Sequence, residues 1–256
     1  MDKSAAFLVL SDASEDVAPA PVRRSLRVVG AQTWERVVVR TPWIAPGDDL
    51  GDVLFRHLHG LLMPDDLVIV SEKVATIALN RGVPLDSVKV GRFASWLARW
   101  VRPRGDSRGL SVPEKMQYVV SAVGRPRTVL ATMAAALTRP VGIHGAFYVV
   151  AGYRARSMDG GRPPFAHLLL PPLERKAARN LAASLAARLG HPVAVVDIND
   201  RGGSVRAVAG GTIGSRLLRS ILQDNPLGQR DARTPIGLVR RADEVVVLDV
   251  TDRIGS

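Results

Sequence analysis

Polar residues that could bind a ligand follow directly after two apolar runs. Residues 71–73, Ser-Glu-Lys, come after the run Leu67–Val70, and Asp197 follows the run Val193–Val196. Short, continuous apolar runs of this kind are typical of strands buried on both faces. The carboxyl ends of such strands tend to present polar groups to a cleft. We therefore expect Glu72 and Asp197 to lie near each other at one cleft.

The chemistry that Asp197 could perform is metal or phosphate binding. It leads into a turn that contains Asn199, Asp200 and two glycines. A carboxylate in this position is a common ligand of Mg²⁺, which usually takes its other ligands from water and substrate phosphates. The same residues also suit an Asx-type turn, and residues 71–73 also suit a cap at the end of a strand. Both interpretations stay open at this point.

Other motifs with known chemistry are weak or missing. Residues 210–216, Gly-Gly-Thr-Ile-Gly-Ser-Arg, precede a predicted helix whose backbone N–H groups could favour an anion, but the segment matches neither a Walker motif nor GxGxxG. The sequence has no GxSxG elbow, HExxH motif or EF-hand loop. It also has no cysteine, which excludes a thiolate nucleophile and a cysteine-ligated metal.

The composition is that of an ordinary globular protein with a basic surface. Of 256 residues, 46% are hydrophobic and 23% are charged, and the net charge is +11. A positive field favours phosphates, nucleotides or nucleic acid. The basic residues are spread along the chain, however, and the sequence contains neither an RNA-binding aromatic motif nor zinc-finger spacing. Nucleic acid is therefore not the expected partner.

The elements that must position these residues are mixed. Residues 1–24 are predicted to be a flexible leader without the order of a secretory signal, and residues 25–256 to be one ligand-binding domain or two intertwined subdomains of it. The longest apolar runs are too short to span a bilayer, so we expect a cytoplasmic protein without a membrane partner. Helices are predicted near 50–61, where Asp48 or Asp49 can cap, and at 93–101, 114–123, 127–138, 173–189 and 215–222.

Strands are predicted between these helices without a strict alternation. They are expected at 26–29, 37–39, 67–70, 146–151, 167–170, 193–196, 236–239 and 245–250. The helix at 93–101 is expected to place its aromatic residues, Trp96 and Trp100 among them, in the core. The absence of a βαβ rhythm favours an α+β fold over a doubly wound sheet.

Five segments, in order along the chain, resemble motifs of the coenzyme F420-0:γ-glutamyl ligase family. They lie at residues 41–50, 68–81, 146–157, 168–171 and 196–201. The first contains Gly47-Asp48-Asp49-Leu50 and the fourth is Leu168-Leu169-Leu170-Pro171. The order and approximate spacing match that family over about residues 40–205.

The resemblance implies a fold and an activity. The fold would be an α+β, γ-glutamyl ligase-like mixed sheet with packed helices. The activity would be a GTP-dependent ligation of glutamate to a phosphate-bearing deazaflavin precursor, with Mg²⁺ or Mn²⁺, in a homodimer. The nucleotide- or substrate-binding residues implied are Pro42, Trp43, Ile44, Ser71, Glu72, Lys73, Arg81, Asn199 and Arg201.

Several family positions are altered in this sequence. The family's nucleotide-contacting lysine falls on Ile77, although Thr76 and Arg81 match its neighbours. An aspartate that binds metal in the family falls on Arg154. A guanidinium at that position would oppose a divalent cation. Asp197 is retained, and Asp159 is the alternative metal ligand if the alignment shifts by a few residues.

The sequence also resembles a divergent branch of the family, to which no reaction is assigned. The polar residues that could form its site are Glu72, Lys73, Asp159, Asp197, Asn199, Asp200, Asp224, Asn225 and Gln229. We favour a ligase-like protein, related to the GTP-dependent enzymes but with degenerate nucleotide and metal motifs, that acts on or binds a phosphate-bearing small molecule. The alternative is a noncatalytic binding protein for such a molecule on the same scaffold.

Overall fold

A computed structural model describes residues 22–102, 108–200, 202–228 and 232–242. The predicted strand at 245–250 and most of the predicted leader lie outside these residues. Val22, Arg23 and Arg24 already belong to a strand, so regular structure begins before the predicted end of the leader. In the part of the chain that the structure describes, no helix is long and apolar enough to cross a membrane.

The described residues form nine strands in two sheets. They are β1 (Val22–Val29), β2 (Gln32–Val39), β3 (Leu67–Ser71), β4 (Val83–Pro84), β5 (Asp159–Gly160), β6 (Leu168–Leu170), β7 (Val193–Asn199), β8 (Gly202–Ala209) and β9 (Ile236–Arg241). The larger sheet has the order β1-β2-β9-β3-β7-β8, and the smaller has the order β4-β6-β5. Only the pairing of β3 with β7 is parallel, so the larger sheet is mixed.

The same residues form nine α-helices. They are α1 (Leu50–Leu58), α2 (Glu72–Ala78), α3 (Arg92–Arg99), α4 (Pro113–Val123), α5 (Arg125–Thr138), α6 (Ala146–Ala151), α7 (Tyr153–Arg156), α8 (Arg175–Leu189) and α9 (Ser215–Ile221). The predicted α+β class is confirmed. Asp49 caps α1, because its Oδ1 accepts hydrogen bonds from the N–H groups of Gly51 and Asp52 at 2.7 and 3.1 Å. These two N–H groups have no partner within the helix, so the cap stabilises its start.

Helices cover both faces of the larger sheet because its inner strands, such as β3, carry buried apolar residues on both faces. Leu54 of α1 and Leu185 of α8 pack on one face, in a cluster that includes Val70 of β3. Leu218 and Ile221 of α9 pack on the other face. The helices α3 to α7 form a third layer around Met116, Val119 and Leu169. This layer lies in the chain between the two parallel central strands.

Two sequence predictions in the third layer are wrong. Residues 146–151 form the helix α6 and not a strand. The glycines that flank this helix, Gly145 and Gly152, have φ of +93° and +85°, a region that side chains with a Cβ avoid. Trp96 and Trp100 of α3 are 52% and 67% exposed, so these two side chains lie on the surface, whereas Phe93 packs against the core as expected.

Candidate functional site

The two predicted buried strands end side by side. In the parallel pair β3 and β7, Val70 lies opposite Val195 and Ser71 lies opposite Val196. Glu72 and Asp197 therefore leave the sheet at the same edge, and both line one crevice. The expectation that these two carboxylates share a cleft is confirmed.

Glu72 is the buried anchor of this edge. It is 4% exposed at the first position of α2. Its Oε1 accepts hydrogen bonds from the N–H of Leu173 at 2.8 Å and from Nε of Arg206 at 2.9 Å. Its Oε2 accepts a hydrogen bond from the Tyr153 hydroxyl at 3.2 Å. Burial raises the pKa of Glu72, in spite of the opposing attraction of Arg206.

Arg206 and Tyr153 complete the network and were missed in the sequence. The Arg206 guanidinium lies over the ring of Tyr153, with Cζ 4.0 Å from the ring centroid. It also donates a hydrogen bond to the carbonyl of Leu173. Burial raises the pKa of Tyr153 to about 12. The network therefore joins the strand β8, the helix α7 and the segment before α8 to one buried carboxylate.

Lys73 lies on the exposed side of the same helical turn. Its Nζ is 2.8 Å from Oδ2 of Asp159, at the start of β5. Burial lowers the pKa of Lys73, but the attraction of Asp159 and, more weakly, of Asp197 outweighs it, so the pKa is raised. Burial raises the pKa of Asp197, and the Lys73 ammonium opposes this shift. Lys73 thus interacts with both carboxylates that were proposed as metal ligands.

The crevice between these groups is small. Its lining residues are Glu72, Lys73, Thr76, Ser157, Asp159, Leu170, Pro171, Pro172 and Asp197. Its volume is about 10 Å³, which is room for roughly one water molecule. A nucleotide cannot enter this space whole, so only a terminal group such as a phosphate oxygen could reach the two carboxylates.

Further cations surround the acidic pair. Burial lowers the pKa of Lys115, against the attraction of Asp159, and the charges of Arg108 and Arg162 act in the same direction as burial. Burial raises the pKa of Asp197, and the charge of Arg156 is one of those that oppose this rise. Positive charge therefore reaches Asp159 and Asp197 from several elements, not from Lys73 alone.

The comparison with protein families matches this chain over most of its length. The F420-0:gamma-glutamyl ligase family model aligns with residues 38–256. The chain belongs to this family. No curated protein matches it. The match confirms the family that the sequence motifs indicated. It covers the third helical layer, the crevice and the strands of the larger sheet from the end of β2 onward.

The family's opening motif lies at the same sheet edge but outside the crevice. Thr41 follows β2, and its N–H donates a hydrogen bond to the carbonyl of Arg233, just before β9. Trp43 is 46% exposed, and its ring meets that of Phe165 edge to face at 6.2 Å. Pro42 is also exposed, whereas Ile44 is buried in the core. Of these three predicted binding residues, Ile44 is therefore structural.

The segment that resembles the family's nucleotide-contacting motif, within residues 68–81, lies partly at the crevice and partly in the core. Thr76 lines the crevice, and its hydroxyl donates a hydrogen bond to the carbonyl of Glu72 at 2.9 Å. Ile77, where the family carries lysine, is 6% exposed and packs with Leu168 and Leu170. Arg81 is exposed beyond the end of α2 and does not line the crevice.

A second polar cluster lies beyond the end of β7. Asp200 accepts a hydrogen bond from Nδ2 of Asn225 at 2.8 Å. Asp224 pairs with the buried Arg36, and this pairing with a cation of the sheet lowers the pKa of Asp224 despite partial burial. The crevice is not lined by any of these three predicted site residues, Asp200, Asp224 and Asn225. Asn199 ends β7, and Arg201 and Gln229 lie outside the described residues.

Arg154 does not occupy the crevice. Its Nη2 is 3.2 Å from Oε1 of Glu174, and its side chain is 59% exposed. The expectation that a guanidinium at this position would sit where a divalent cation binds is therefore wrong. The short helix α7 directs Tyr153 toward Glu72 and leaves its neighbour Arg154 on the surface.

The residues around the crevice do not fit the divalent cation that the family resemblance implies. Among residues 22–102, 108–200, 202–228 and 232–242, no group of three or more histidine, cysteine or acidic side chains is arranged to hold a metal ion. The carboxylate of Glu72 forms an ion pair with Arg206, and that of Asp159 forms one with Lys73. A hard cation would need several free oxygen ligands, and here each of these two carboxylates already has a positively charged partner.

Proposed function

We propose that this protein is a ligase-like member of its family that binds a phosphate-bearing small molecule at the crevice and joins it, or a partner held beside it, through an amide bond. The observation that carries the proposal is the surplus of positive charge around Asp159 and Asp197. Asp159 attracts the ammonium groups of Lys73 and Lys115, and Arg162 lies close enough to repel both lysines. A phosphate group would be attracted to this surplus.

The nucleotide in this proposal is GTP, which the family resemblance implies. Amide formation at the expense of GTP balances if a carboxylate takes the γ-phosphoryl group, GDP leaves, and an amine then displaces phosphate from the acyl phosphate. The transferred phosphoryl group must be held while negative charge develops on it. Ammonium and guanidinium groups that are already in place stabilise such charge without reorganisation. Lys73 is 45% exposed on its side chain, so a phosphate arriving from solvent can reach its ammonium.

A noncatalytic binding protein is the second candidate, and a specific observation favours it. Two of the three carboxylates that line the crevice, Glu72 and Asp159, are paired with cations. Glu72 is buried and accepts three hydrogen bonds within the protein. Asp159 contacts the ammonium of Lys73. Neither carboxylate is therefore placed to take a proton from a ligand. Binding through the surrounding cations would not be affected by this pairing.

Two measurements separate these candidates. Isothermal titration calorimetry with GTP, ATP and an F420-type phosphate ester tests binding, and mass spectrometry after incubation with glutamate, GTP and F420-0 tests ligation. We expect binding in the micromolar to millimolar range, and a loss of about tenfold in Lys115→Ala, since one charge contact with phosphate is worth roughly 1.4 kcal/mol. Lys89→Ala, an exposed lysine before α3, is the matched control. Binding without any product would favour the noncatalytic protein, and no binding of any phosphate ligand would exclude both.

A further inference from the structure

We propose that the ammonium of Lys73 takes the place of a divalent cation in the crevice, so that the phosphate-bearing ligand binds without a metal ion. This inference rests on the proposed function, because it concerns how the same crevice holds its ligand. In place of the metal ion that the family resemblance implies, a side chain of the protein itself would contact the phosphate.

The position of Lys73 carries this inference. It follows the buried Glu72 in the first turn of α2, and its Nζ is 2.8 Å from Oδ2 of Asp159. Both Asp159 and Asp197 line the crevice with it. A divalent cation that used these two carboxylates would have to approach the ammonium closely and displace it from Asp159.

The electrostatic environment agrees with the geometry. Of the charges that act on Asp197, Lys73 is the strongest, followed by Asp159 and Arg206. Lys73 lines the crevice, and the buried Arg206 pairs with Glu72, one of its lining carboxylates. Further positive charge lies nearby, since Asp159 also attracts the Lys115 ammonium and Arg162 repels both lysines. A doubly charged ion would be repelled by all four groups, whereas a phosphate would be attracted.

The Lys73 ammonium also has enough N–H donors to bind a phosphate group. A lysine ammonium carries three N–H donors, and its contact with Asp159 accounts for one of them. The side chain is 45% exposed, so the remaining donors are accessible from the mouth of the crevice. A phosphate oxygen can therefore be held by Lys73 in the way that a bridging metal ion would hold it.

The first test uses Mn²⁺ alone and does not depend on any ligand. Electron paramagnetic resonance measures free Mn²⁺ as protein is added to it. We expect the wild-type protein to leave the signal unchanged up to about 1 mM, the weak end of protein carboxylate sites. Lys73→Met should lower the signal, because Asp159 and Asp197 are then free to bind the ion. Lys89→Met is the matched control and should behave as wild type.

The variants are checked for folding before the result is interpreted. Circular dichroism and a thermal melt are recorded for Lys73→Met and for Lys73→Gln, which retains a polar side chain of similar length. Both should keep the wild-type spectrum, because Lys73 lies at the surface of the turn. Binding of Mn²⁺ by the wild-type crevice, abolished by Asp159→Asn, would overturn the proposal even if both lysine variants failed to fold.

The second test uses GTP and inorganic phosphate. Calorimetric affinities are measured in EDTA and in excess Mn²⁺, and we expect them to agree within about threefold for the wild type. A gain of more than tenfold with Mn²⁺ would overturn the inference. If no phosphate ligand binds under either condition, the proposed function fails, and the Mn²⁺ titration of the wild type and Lys73→Met still decides whether Lys73 excludes the metal.

Discussion

Glu72 and Arg206 lie 134 residues apart in the chain and form an ion pair of 2.9 Å between Oε1 and Nε, with side chains that are only 5% and 7% exposed. The N–H of Leu173 donates to the same Oε1, and the Tyr153 hydroxyl donates to Oε2. The pair therefore joins the end of β3 to β8, and through Tyr153 it joins the sheet to the third helical layer. The crevice lies directly beside this junction.

Replacing Glu72 by alanine should lower the free energy of unfolding by about 3 to 5 kcal/mol, because it leaves Arg206 buried without a partner. Urea denaturation measures the change. The matched control is Glu174→Ala, which removes a carboxylate from an exposed pair with Arg154 and should cost less than about 1 kcal/mol. Equal losses of unfolding free energy from the two substitutions would show that the buried ion pair stabilises the fold no more than the exposed one.

The stability of the protein should depend on pH through Glu72. Its pKa is raised in the folded state above the ordinary value of 4.5, because burial, together with the nearby Asp197 carboxylate, outweighs the attraction of Arg206. Its contribution is therefore fully present below that ordinary value and is lost as pH rises through the raised folded value.

Glu72→Gln removes this titration and keeps an oxygen acceptor for Leu173 and Arg206. Unfolding free energies of the two proteins are measured by urea denaturation from pH 4 to 8. The wild type should lose stability relative to the variant as pH rises, with a slope of at most about 1.4 kcal/mol per pH unit. Parallel curves would mean that Glu72 has the same pKa in the folded and unfolded chain.

Restoring the family's lysine at position 77 should harm the protein and not improve ligand binding. Ile77 packs with Leu168 and Leu170, so Ile77→Lys would bury an ammonium without a partner and cost about 2 to 5 kcal/mol. The control Ile77→Leu conserves volume and should cost less than about 1.5 kcal/mol. A stable Ile77→Lys variant with tighter GTP binding would place this position in the ligand site.

The sheet and the shared edge of its two central strands could be predicted because their sequences leave few alternatives. Leu67–Val70 and Val193–Val196 are continuous apolar runs, and such runs form buried strands whose carboxyl ends carry polar side chains. The same reasoning brought Glu72 and Asp197 together correctly. The confirmed helices, such as α5, have clear apolar periodicity or a proline near their start.

Other features depended on long-range contacts that no local pattern reports. The run Ala146–Ala151 is equally compatible with a short strand and a short helix, and its packing against α5 selects the helix. The strand β8 is rich in glycine, so it was not predicted, and Arg206 within it could not be paired with Glu72. Arg154 was placed at the crevice because the direction of a side chain on α7 cannot be read from the order of motifs.

The homodimer that the family resemblance implies is a prediction that solution measurements can test. The helix α5 exposes an unusual number of large apolar side chains: Val129, Leu130, Met133 and Leu137 are 41%, 59%, 54% and 75% exposed. Contiguous exposed apolar surface commonly marks a protein interface. Light scattering should give about twice the chain mass of 27.5 kDa.

A substitution on this helix should weaken the dimer. Leu137→Glu places a charge on the exposed apolar stripe and should raise the dissociation constant at least tenfold, as measured by analytical ultracentrifugation. Phe55→Glu, which alters an apolar side chain 60% exposed on α1, is the control and should leave the mass unchanged. A wild-type particle of one chain mass at micromolar concentration would contradict the prediction.

The parallel pairing of Val68 with Val193 also bears on how the chain reaches this structure. These two strands are neighbours inside the larger sheet, yet the whole third helical layer separates them in the chain. Contacts of such high sequence separation require the closure of a long loop before they repay its entropy, and they slow folding. Single-jump refolding should therefore show helical signal from the third layer before the central strands become protected from hydrogen exchange, and the crevice should be among the last parts of the molecule to assemble.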